Sequence, residues 1–141
     1  MVEWVVIVVA LAAVVIAVFL AVRIRARRKT STLVGCRLPE PLFGRFPRHR
    51  AGIIYFYKPL CATCQQQRII LDRLVCEIPA PIVQIDITVE PALASTLSLS
   101  TVPVTVVVDA EGSIRAINLG LHSTDVLTTQ LQGLGDHIPV A

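Results

Sequence analysis

Aromatic side chains make up 5% of the 141 residues and charged ones 16%, and there is neither an internal repeat nor a low-complexity tract. The length has no room for a second globular domain beside a first. Basic charge is scarce where a nucleic-acid binder needs it. Residues 30–141 carry eight basic and nine acidic groups, so the overall +3 belongs to residues 1–29. Nucleic-acid binding thereby loses its compositional support. Basic residues are also missing ahead of the first apolar run, where Glu3 is the only charged side chain. A cleavable signal peptide needs a basic start, a shorter run and small residues at a cleavage site, so a retained anchor is the expectation.

What is present is concentrated at one end. Residues 1–29 hold 23 apolar side chains, while the remainder has the apolar content of an ordinary soluble domain. This composition argues against disorder and against a multi-span transporter. Val5 to Val22 contains no charge and no strong helix breaker. At ~1.5 Å per residue it extends about 27 Å, close to a bilayer's hydrocarbon core. Trp4 suits one interface, and Arg23, Arg25, Arg27, Arg28 and Lys29 suit lipid headgroups at the other. Residues 1–29 are therefore expected to be a transmembrane anchor that contacts lipid. The basic flank follows the run, so the expected orientation puts the N-terminus outside and residues 30–141 in the cytoplasm; the alternative is an extracytoplasmic domain.

Residues 30–50 read as a linker rich in Pro and Arg. Pro39, Pro41 and Pro47 interrupt the segment, and Arg37, Arg45, Arg48, His49 and Arg50 make it basic. The expectation is a solvated tether, with contact to anionic lipid as the alternative. From residue 51 to 141 the pattern is that of a compact α/β domain. Gly52 to Tyr57 is a short β-branched and aromatic run, as in a strand buried on both faces, and Pro59 ends it. A helix is expected from Cys61 to Cys76, with Cys64, Leu71, Leu74 and Val75 on one side. A strand over 82–87, a short helix over 91–97, strands over 104–109 and 114–119 joined at Gly112, and a helix over 124–132 follow. The order is βαβαββα, with the first two strands parallel and a hairpin at the other edge.

The chemistry is concentrated in Cys61-Ala62-Thr63-Cys64. Cysteines at i and i+3 on the opening turn of a helix can close a small disulfide ring. The helix N-terminus favours thiolate at the first of them. Cys61, at the exposed start, is the expected nucleophile, and Cys64, one turn inside, the resolving thiol. Lys58 and Arg68 can add to the positive field. Cys36 and Cys76 are poorly placed to complete a metal site, and His49, His122 and His137 share no ligand-like spacing and are expected at the surface.

With these residues in view, roughly residues 52–132 resemble the thioredoxin family. Tyr55 to Cys64 is similar to its strand and active-site turn, and Asp86 to the end of its second core strand. Thr101-Val102-Pro103-Val104 is similar to the stretch around its cis-proline, 42 positions beyond Cys61. Asp109 to Gly112 resembles its hairpin turn. The departures are Leu60 in place of the family's Trp, Ala62-Thr63 in place of Gly-Pro, and Tyr55 in place of a buried acid. The family's first strand and helix have no recognisable counterpart in 30–50. The resemblance implies a mixed sheet flanked by helices, with Val102 and Pro103 holding a partner strand. It also implies a thiol–disulfide oxidoreductase whose only redox group is the Cys61–Cys64 pair, without a further cofactor. Its partners would be protein disulfides or dithiols and an electron-donor reductase. The alternatives are a copper- or zinc-binding CxxC module and a redox-inert binding scaffold.

Overall fold

A computed structural model describes residues 1–134. The chain divides into two compact units, Met1–Thr32 and Leu33 onward. The first is a single helix, α1 (Val2–Ser31). Every side chain from Val5 to Val22 is both exposed and apolar, so this stretch of the helix lacks a polar face. Val2–Arg25 is long and apolar enough to cross a membrane.

The second unit runs α2 (Glu40–Phe43), β1 (Gly52–Tyr57), α3 (Ala62–Glu77), β2 (Ile82–Asp86), α4 (Pro91–Thr96), β3 (Val104–Val108), β4 (Ile114–Leu119) and α5 (Thr124–Gln132). The sheet order is β2-β1-β3-β4. Strand β2 reaches β1 through a helical crossover and lies parallel to it, whereas β3 and β4 are each antiparallel to their neighbours. The mixed sheet is the one expected.

Side-chain alternation gives the central strands two buried faces. Ile54 and Phe56 of β1 join Val104, Val106 and Val108 of β3 in one core, closed by Ala94 and Leu97. Ile53, Tyr55 and Val107 point the other way, onto Leu71, Leu74, Leu127 and Leu131 of α3 and α5. The β3–β4 turn is pinned by Asp109, whose carboxylate accepts from the backbone N–H groups of Glu111 and Ser113 and pairs with Arg115 at 2.9 Å. Gly112 completes it at φ +83°, where an added Cβ would also strike the Phe43 ring.

Two expectations change. From Leu33 on, the expected linker is part of the domain: Leu38, Leu42 and Phe46 are buried in the first core. Residues 35–38 also pair along the start of β4, with Gly35 N–H donating to Ile114 O (2.7 Å) and Leu38 N–H to Gly112 O (2.8 Å). The arginines of this segment are used within the domain. Arg45 pairs with Glu90, Arg50 donates to Pro79 O, and Arg37 and Arg48 lie over the Phe43 ring. Three prolines hide the segment because they read as breakers and leave only the single turn of α2. Val75, expected on the buried side of α3, is 44% exposed. The buried stripe of α3 runs Cys64, Gln67, Leu71, Leu74, and includes Gln67 but not Val75. His137 lies outside the described residues.

Candidate functional site

Pro59 stops β1, and the chain turns through an exposed Lys58-Pro59-Leu60 into α3. Cys61 is the N-cap of that helix and not its first residue. Its backbone is extended (φ −120°, ψ 110°), and its sulfur accepts from the Cys64 N–H at 3.2 Å. The cap geometry thus directs one of the helix's unpaired N–H groups at Sγ, where the end of the macrodipole favours negative charge. Thr63 Oγ1 lies 3.7 Å from the same sulfur. Cys61 and Cys64 form a disulfide, with Cα atoms 5.1 Å apart. The two sulfurs' residues are unequally accessible: Cys61 is half-buried, whereas Cys64 is 2% exposed and packs in the second core.

Beneath the disulfide lies Tyr55. Its hydroxyl donates to the Cys64 carbonyl at 2.6 Å, and its ring stacks on Tyr57 at 5.5 Å between centroids. Burial pushes its phenol up to about 12, partly offset by the nearby Arg68 cation. The group is a proton donor at neutral pH and does not act as a base.

On the adjoining loop the Val102–Pro103 bond is cis, and Pro103 is buried. Val102 packs against the same core as Cys61 and Cys64. The Pro103 carbonyl accepts from Gly120 N–H at 2.8 Å, which ties this loop to the one after β4. That second loop is also tied to α3. The fully buried Gln67 amide bonds both backbone groups of His122. The tertiary structure therefore packs Val102 into the core that holds Cys61 and Cys64, with Pro103 the next residue along, while Lys58 stays exposed with no hydrogen bond or ion pair among the described residues. Sequence reasoning missed Gln67. Its signal was available, since 64, 67, 71 and 74 form a helical stripe, but a glutamine in it reads as water-facing. Among the described residues, no group of three or more His, Cys, Asp or Glu is gathered for a metal.

The family model described as "TraF: F plasmid transfer operon protein" matches residues 47–132. The chain belongs to this thioredoxin-like family. Among solved structures, mitochondrial thioredoxin 3 from Saccharomyces cerevisiae matches at TM-score 0.59 and 17% identity, over 75% of this chain and 99% of that one. A mutant thioredoxin from Halobacterium salinarum matches at TM-score 0.58 and 25% identity, over 64% and 80% of the two chains. A thio-disulfide isomerase from Thermus thermophilus matches at 0.53 and 21%, over 60% and 78%. No curated protein matches in sequence at a significant level. The thioredoxin-like core thus carries its CxxC-spaced disulfide on the turn into α3, where the sequence resemblance had put the pair.

Proposed function

We propose that this protein is a membrane-anchored thiol–disulfide oxidoreductase, with Cys61 as nucleophile and Cys64 as resolving thiol. The observation that carries the reading is the unequal exposure of two bonded cysteines at a helix N-terminus. Only Cys61 is open to a partner, and its sulfur already receives an N–H. In the dithiol form, the Cys61 thiolate attacks one sulfur of a partner disulfide. A Cys61–partner disulfide forms, and the partner's other sulfur leaves as a thiolate that takes up a proton. Cys64 then loses its proton and attacks Cys61 Sγ. The intramolecular disulfide forms, and the second partner thiol is released. The partner gains two electrons and this protein loses two, so the pair itself is the redox group and a dithiol-donating reductase restores it. Val102 and Pro103 hold the partner strand, and the exposed Lys58 adds positive potential near the thiolate.

Helix α1 is the anchor in this reading, held by lipid along Val5 to Val22 and by headgroups at its basic flank. The charge bias supports a cytoplasmic domain. In a reducing cytosol the resting form is the dithiol, and the protein reduces its partners. Cysteine variants test the mechanism. Cys61→Ser abolishes reduction of protein disulfides, while Cys64→Ser accumulates Cys61-linked mixed disulfides on non-reducing gels. Equal reductase activity in wild type and Cys61→Ser would overturn the proposal.

A further inference from the structure

The Gln67 side chain is fully buried in α3, one turn beyond Cys64. An amide in that position costs stability unless its polar atoms are paired, and an apolar residue would fill the stripe without that cost. Both atoms are committed to a single residue of the opposite loop. Oε1 accepts from His122 N–H at 2.7 Å, and Nε2 donates to His122 O at 3.2 Å. Two bonds to one peptide backbone fix both its position and its orientation. The loop's other end is held just as directly. Gly120, at φ +86°, donates its N–H to Pro103 O at 2.8 Å, and His122 Nδ1 lies 3.2 Å from Gly120 O. The loop is thus strung between the helix that carries Cys64 and the segment that carries Pro103. Leu121, 46% exposed, stands between the two attachments.

We infer that Gln67 is a positioning residue for partner capture: its amide clamps the Gly120–His122 loop to α3 and so sets the wall of the partner site beside Pro103. The inference rests on the oxidoreductase reading above, because it assigns the clamp to protein partners of the Cys61–Cys64 pair. A protein disulfide must seat a stretch of backbone before exchange, whereas a small disulfide needs only the accessible part of the half-buried Cys61. Loosening the loop therefore penalises the first and spares the second.

The test uses the full chain in neutral-lipid nanodiscs, with Gln67→Met as an apolar replacement of similar length. Insulin serves as the protein disulfide and oxidised glutathione as the small one. Expected is a roughly tenfold rise in KM for insulin, with kcat within about twofold and the glutathione rate unchanged. Amide hydrogen exchange at His122 speeds up in the same variant, an effect independent of turnover. Gln67→Glu keeps the acceptor for His122 N–H and gives an intermediate KM; should the Met variant fail to fold, it carries the same comparison. An insulin KM equal to wild type, with His122 exchange accelerated, leaves Gln67 a purely structural residue and overturns the clamp alone. If wild type reduces neither disulfide, the oxidoreductase reading falls and takes the clamp with it.

Discussion

At the scale of single residues, the hydroxyl of Tyr55 and the sulfur of Cys61 do complementary work on α3. Cys61 Sγ accepts the Cys64 N–H, and Tyr55 donates to the Cys64 carbonyl, so both backbone groups of Cys64 are engaged. Thioredoxins carry an acid where Tyr55 stands. A phenol pushed up to about 12 cannot take a proton from Cys64 at neutral pH, so in the proposed cycle that proton passes to water or to the departing partner thiolate. The same shift has a consequence for stability. The folded chain keeps the phenolic proton to about pH 12, while the unfolded chain gives it up near 10. The stabilisation is complete below pH 10 and drains away between these values. Tyr55→Phe is expected to cost about 1 kcal/mol near neutral pH through the lost hydrogen bond. It should also flatten the alkaline fall in stability, which denaturant titrations of both proteins from pH 8 to 12 measure. Identical alkaline slopes would mean that Tyr55 titrates alike in both states.

At the scale of elements, the four-residue α2 shows how a segment interrupted by prolines can still be core. Leu38, Leu42 and Phe46 recur every fourth position, and all three are buried. Their spacing is visible in the sequence, but Pro39 and Pro41 between the first two, and Pro47 after the last, read as breakers. Pro39 in fact caps the turn, and Pro41 sits in its first positions, where a missing N–H costs nothing. Because Leu42 is fully enclosed, Leu42→Ala is expected to lower stability by ~2–5 kcal/mol, seen as a lower denaturant midpoint with an unchanged slope. A loss under about 0.5 kcal/mol, as at a surface position, would return the segment to the status of a tether. By contrast, β1, β4 and α5 fall on the boundaries expected from their sequences, since each has a period or a terminator of its own. The α3 boundary moves by one residue because an N-cap shares the sequence position of a first turn while having extended dihedrals.

At the scale of the whole molecule, the proposal places a redox domain on the cytoplasmic end of a single anchor. The physical ground is the run of basic residues after Val22, against Glu3 before it. A membrane-impermeant thiol reagent applied to intact cells checks this. Cys61 is expected to stay unlabelled until the cells are lysed. Labelling without lysis would put the domain outside, where the pair would depend on electrons delivered across the membrane.

The sequence by itself determined the apolar helix, the order of strands and helices around the CxxC and the location of the cysteine pair. Each of these is written in contiguous residues, as composition, as alternation or as a spacing of three. Only the tertiary structure decided what lies between distant segments. It assigned Leu38, Leu42 and Phe46 to the core, brought Val102 into the same cluster as Cys61 and Cys64, and paired Gln67 with His122 across 55 positions. The reason is that a buried polar atom takes whichever partner the packed chain presents. A glutamine on a helix carries no local mark of the loop it will hold, so its role appears only once α3 and the Gly120–His122 loop are packed together.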